Sequence, residues 1–114
     1  MELMKLTAAE LGKKIQAGEV TAVEAAEAAL KQIKERDKEL NCFVTVDEEG
    51  ALRRAARVQE KIEKGELTGP LAGVPIAVKD NICTEGLRTT CASKILYNFE
   101  PPYSAEAALR LEAA

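Results

Sequence analysis

Two Thr-x-x-Glu boxes commit the start of this chain to helix. In Thr7-Ala8-Ala9-Glu10 and again in Thr21-Ala22-Val23-Glu24, the threonine hydroxyl and the glutamate carboxylate can satisfy backbone amides that a helix leaves unpaired in its first turn. After the first box Leu11 and Ile15 recur four apart, and Gly18 follows as a stop. After the second, Val23, Ala26, Leu30 and Ile33 trace one apolar face, and Glu24, Glu27, Lys31, Lys34 and Glu35 trace the opposite one. That pattern predicts a helix over about 22–37. Ala22, Ala25, Ala26, Ala28 and Ala29 favour helix and let neighbours approach closely.

Cys42-Phe43-Val44-Thr45-Val46 is short, β-branched and aromatic, and predicts a strand. Asp47 then stands as an N-cap for a third helix, marked by Ala51, Ala55, Val58 and Ile62 and ended by Gly65. Its charges, from Arg53 to Glu63, read as a solvated face. The character changes at Gly69. Gly69-Pro70-Leu71-Ala72-Gly73 is turn chemistry, and Val74-Pro75-Ile76-Ala77-Val78 is an apolar run of the kind buried on both faces of a sheet. It ends in Lys79-Asp80-Asn81. A Gly- and Thr-containing loop runs from Ile82 to Ser93, and after Pro101-Pro102 Ser104 is expected to cap a last helix from Ala105 onward. That pattern is unfinished at Ala114, which predicts a fragment of a longer protein. The expected organisation is a helical segment with one strand over 1–66, then the start of an α/β core over 67–114.

Composition narrows the chemistry. The 114 residues suffice for one modest domain, and 46% apolar with 31% charged residues is a globular balance. A net charge of -3 without a basic stripe gives no electrostatic case for nucleic-acid binding by this segment. No apolar run approaches the roughly 20 residues of a membrane span, and the N-terminus lacks a signal-peptide core, so a cytoplasmic protein is expected. Cys42, Cys83 and Cys91 lack CxxC spacing and read as free thiols. The chain has no histidine. Ser-His-Asp and Cys-His catalysis are therefore excluded within it, and a proton shuttle must be a Lys, a carboxylate, a Tyr or a Cys. Cys83 and Cys91 have no histidine to activate them. No metal or cofactor site is expected, and without GxxxxGK[ST] or GxGxxG the glycines read as turn residues rather than a phosphate cradle.

Lys79 is the candidate catalytic residue. Functional groups collect at the carboxyl ends of strands in open α/β sheets, and Lys79 directly follows the apolar run. In a strand, Pro75, Ala77 and Lys79 share one face, and Ile76, Val78 and Asp80 the other. A lysine drawn out of water there loses hydration, its pKa falls, and the neutral amine can take a proton from a hydroxyl. A solvated strand terminus is the alternative reading of the same spacing, and Asp80 reads equally as a helix or turn cap.

The stretch from Gly69 through Val74-Pro75-Ile76-Ala77-Val78-Lys79-Asp80-Asn81 to Thr89-Thr90-Cys91-Ala92-Ser93 resembles the lysine segment of the amidase signature family. The run 89–96, Asn98-Phe99, Pro101-Pro102-Tyr103 and the helical start narrow the resemblance to the glutamine-hydrolysing members of transamidation complexes. The resemblance implies a mixed α/β sheet flanked by helices, with only the N-terminal helices and first strands present here. It implies a Ser-Ser-Lys triad in which Lys79 is base and proton shuttle through a bridging serine. The nucleophilic serine forms an acyl-enzyme that water hydrolyses. It also implies partner subunits B and C, Glu-tRNA(Gln) as the acceptor of the released ammonia, and ATP and magnesium handled by the partner. The Gly- and Ser-rich segment carrying both serines is missing: the chain has only Ser93 and Ser104. The fragment alone is therefore expected to be inactive, and unpaired strand edges predict its self-association. Another amide hydrolase of the same family, or a non-catalytic helical interaction fragment, are the alternatives.

Overall fold

In the computed structural model, which describes residues 2–114, four α-helices follow one another: α1 (Ala8–Gln16), α2 (Ala22–Leu40), α3 (Glu48–Glu63) and α4 (Glu106–Ala113). Short 3-10 turns occupy Leu3–Lys5 and Lys94–Leu96. Both capping boxes form. Glu10 N–H donates to Thr7 Oγ1 at 3.2 Å and Thr7 N–H to Glu10 Oε2 at 2.8 Å. The same exchange closes Thr21 and Glu24 at 3.1 and 2.8 Å. Asp47 caps α3 by accepting Gly50 N–H at 3.1 Å, and its second oxygen meets Arg54 at 2.9 Å. Gly50 leaves room for this cap: a Cβ would stand 2.0 Å from Asp47 Oδ2 and push the carboxylate aside.

The chain divides into two compact units, one up to Pro75 and one from Ile76. The first is built on Leu11, Ile15, Val20 and Ala25, with Leu3, Met4, Leu6, Ile62 and Val74 packed against them. Three of the small side chains predicted along α2, Ala22, Ala25 and Ala26, are buried together with Leu30, and α2 lies against α3. The Gly69–Gly73 turn seats on α1. Gln16 Nε2 donates to Gly69 O at 3.3 Å, and Gly12 leaves room for Pro70 O, which a Cβ would meet at 2.0 Å. In the second unit Gly86 N–H donates to Pro101 O and Thr89 N–H to Phe99 O, at 3.2 and 3.0 Å, tying the 86–89 and 99–101 segments together.

The expected mixed α/β sheet is corrected. The described residues contain helices, turns and irregular segments, and neither predicted strand forms. At Cys42–Val46 the cause is local. Helix α2 runs on to Leu40 and ends with Asn41 in the left-handed region (φ 52°). The Asp37 carboxylate then accepts the N–H groups of Cys42 (2.6 Å) and Phe43 (3.3 Å), which a ladder would otherwise use. Val74–Val78 is irregular, and no other described segment lies beside it as a strand. A strand exists only by pairing. The expected burial on both faces is corrected with it, since Ile76 and Val78 are 55% and 41% exposed.

The predicted cap of α4 is also corrected. Ala105 occupies the N-cap position, without a side-chain bond, and Ser104 Oγ instead accepts Glu85 N–H at 2.9 Å.

Candidate active site

The sequence places Lys79 beside Asp80, and the structure anchors this pair through its backbone. Ile82 N–H donates to Lys79 O at 3.0 Å, so residues 79–82 make a tight turn. The Lys79 side chain is exposed. The water-poor strand end expected for it is not built by the residues of this chain, because its apolar neighbours are themselves exposed.

Asp80 is fastened to the far side of the loop. Its Oδ1 accepts Thr90 N–H at 2.8 Å, and its Oδ2 accepts the Thr90 hydroxyl and, at 3.4 Å, Ala92 N–H. Its carbonyl accepts Cys91 N–H at 2.9 Å. The Thr90 hydroxyl and then the Thr90 amide stabilise the carboxylate and hold the Asp80 pKa below its ordinary value. Partial desolvation opposes them, and the Ala92 amide and the Arg88 charge add to the lowering. Neither cap reading of Asp80 forms: its side chain binds Thr90 and Ala92, ten and twelve residues on, and not the amides of its own turn. Thr89 and Thr90 are buried polar residues.

The segment that Asp80 grips is strained. Ser93 N–H donates to Thr90 O at 2.8 Å, and the two residues between, Cys91 and Ala92, have φ of 50° and 57°. Positive φ at both central positions is the arrangement of a type I′ turn, which ordinarily recruits glycine or asparagine. For a residue with a Cβ it costs on the order of 1–2 kcal/mol. Such strain persists where surrounding bonds over-determine it, and here the bonds to Asp80 supply them.

Each serine hydroxyl oxygen accepts a backbone N–H. Ser93 Oγ accepts Ile95 N–H at 3.3 Å, and Ser104 is engaged by Glu85. The three cysteines are unbridged, and Cys42 and Cys91 are exposed. Cys83 Sγ lies 3.7 Å from Tyr103 Oη and, as the main cause, raises the phenol pKa. Arg88 stacks over the Tyr97 ring at 4.8 Å. No group of three or more His, Cys, Asp or Glu among the described residues could hold a metal ion, and no described helix is long and apolar enough to cross a membrane. Thr90, Cys91 and Ala92 enter the sequence reading through the family resemblance, and Cys91 also as a free thiol, but their bonds to Asp80 do not. A pairing across ten residues of loop has no periodic signature.

An irregular apolar run ending at a turn-held lysine, followed by a threonine-rich loop, is the local form of the segment whose residues resemble those of amide hydrolases. The amidase family model matches residues 24–114, and the chain belongs to that family. Over all 114 residues it is 67% identical to the A subunit of the glutamyl-tRNA(Gln) amidotransferase of Agathobacter rectalis, and 58% identical to its counterpart from Lachnospira eligens. It spans 23% and 24% of the length of those two relatives. Among solved structures it resembles a chain of a vestigial protein complex that reveals the evolutionary origins of an s-triazine catabolic enzyme. The TM-score is 0.88 at 31% identity, over 95% of this chain and 24% of that one.

Proposed function

We propose that this chain is the N-terminal part of the glutamine-hydrolysing subunit of a glutamyl-tRNA(Gln) amidotransferase. The observation that carries the reading is 67% identity to such an amidotransferase chain, sustained from end to end with the lysine segment included. In the full-length protein Lys79 acts as the base. Its neutral amine takes the proton of a nucleophilic serine through a bridging serine, both lying outside this chain. The serine attacks the side-chain amide of glutamine, ammonia leaves, and water releases glutamate from the acyl-enzyme. Ammonia passes to the B subunit, which handles ATP, magnesium and Glu-tRNA(Gln), while the C subunit completes a cytoplasmic heterotrimer. The 114 residues alone hold the base without the Gly- and Ser-rich segment that carries the two serines, so they turn over no glutamine.

The test is ammonia release from glutamine by the full-length protein assembled with its partners. Lys79→Met is expected to lower the rate by about 10²–10⁴-fold, the usual worth of a positioned base. Unchanged activity would remove Lys79 from the mechanism. Hydrolysis of small free amides in preference to glutamine would assign the parent to a different amidase.

A further inference from the structure

Lys79 and Asp80 are consecutive, and the bonds that immobilise them converge from residues 82 and 90–92. The Lys79 carbonyl is held by Ile82 N–H. The Asp80 carbonyl is held by Cys91 N–H, and the Asp80 carboxylate by the amide and hydroxyl of Thr90 and the amide of Ala92. The partners are well chosen for rigidity. Thr90 is 5% exposed, and Cys91 and Ala92 lie in a turn that their own side chains disfavour. A simple loop staple could join the loop at any point. This one grips the residue next to the reactive amine, and it leaves that amine's side chain exposed on a fixed backbone.

We propose that Asp80 is a positioning residue for Lys79: by binding Thr90 and the Cys91–Ala92 turn, it fixes the backbone from which the lysine reaches the serine proton. The proposal rests on Lys79 being the base of the amidase reaction. Proton transfer needs donor and acceptor within hydrogen-bond reach, and a displacement of about 1 Å in such geometry can cost about 10²-fold.

The test uses the full-length protein together with its partners and follows glutamine hydrolysis. Asp80→Asn keeps the size but replaces one accepting oxygen with a donor that faces Thr90 and Ala92. Thr90→Val removes the hydroxyl and leaves the carboxylate in place. Each is expected to lower kcat by about 10–100-fold with KM changed less than about threefold. Thr90→Ser, which restores the hydroxyl, is expected to return kcat to near wild type. In a Lys79→Met background, Asp80→Asn is expected to change the residual rate by less than about twofold, because a residue acting through Lys79 has nothing left to position.

The same factor lost in both backgrounds would make Asp80 mere loop support and overturn the proposal. So would Asp80→Asn and Thr90→Val variants of wild-type activity alongside an inactive Lys79→Met, which leaves the reading of Lys79 standing. Full activity in Lys79→Met overturns both. Should Asp80→Asn fail to fold, Thr90→Val and Thr90→Ser carry the test with the same kcat-against-KM readout.

Discussion

Ala22 N–H donates to Gln59 Oε1 at 2.8 Å, so a first-turn amide of α2 is satisfied by a side chain of α3 that lies 37 residues further along. The Thr21 box closes the amides it can reach, and the buried Ala22 amide is left to a neighbouring helix. The Gln59 amide nitrogen is held in turn by Glu63 at 2.9 Å, which fixes the orientation of its oxygen. Gln59→Ala leaves the Ala22 donor without a partner and is expected to destabilise the helical unit by about 1–2 kcal/mol. Urea unfolding followed by far-UV circular dichroism measures it. An unchanged midpoint would mean that water replaces the side chain without loss.

Gly12 is the point of closest approach between α1 and the turn before the lysine segment. Gly12→Ala would set a Cβ 2.0 Å from the Pro70 carbonyl oxygen, which is backbone and cannot swing aside. Alanine is ordinarily the better helix former by about 1 kcal/mol, so the sign discriminates. Steric conflict is expected to cost about 1–3 kcal/mol net, seen as a lower thermal midpoint. A stabilised variant would show that the turn does not rest on α1.

The capping boxes give stability an acid limb. Bonds from the backbone amide and then the hydroxyl of Thr7 lower the Glu10 pKa, and those of Thr21 lower the Glu24 pKa. A carboxyl with a lowered folded-state pKa contributes stability that is complete above its unfolded value. The contribution is lost as the pH falls through the folded value. Glu24→Gln is therefore expected to be less stable than the wild type near neutral pH, and the gap is expected to close below the ordinary glutamate range. Thermal unfolding across that range checks it. A gap independent of pH would assign the difference to packing.

Ile76 and Val78 leave apolar surface in the open, at 55% and 41% exposure. Exposed apolar surface invites association with another chain. The isolated 114 residues are expected to self-associate with rising concentration, and a double Ile76→Lys, Val78→Lys variant is expected to stay monomeric. Light scattering distinguishes the two, and a monomeric wild-type fragment at high concentration would count against the expectation.

Where a residue and its partner are neighbours in the chain, the sequence by itself determined the outcome. Thr7 and Thr21 start their helices because each cap and its glutamate are three residues apart. Asp47 starts α3 by accepting Gly50 N–H, also three residues on, and Gly18 and Gly65 follow the ends of α1 and α3 with φ of 74° and 71°, a backbone region that only glycine enters freely. The family was legible too, because the lysine segment is long and its order of residues specific. Tertiary structure decided what depends on distant partners. Cys42–Val46 and Val74–Val78 have strand composition, yet a strand is a property of two segments, and Asp37 or the lack of a partner settled both otherwise. Ser104 has the composition of a cap but binds Glu85. The clamp from Asp80 to Thr90 and the left-handed turn it holds were invisible for the same reason. Hydrogen bonds across a loop obey geometry in space, and only the folded backbone brings those atoms together.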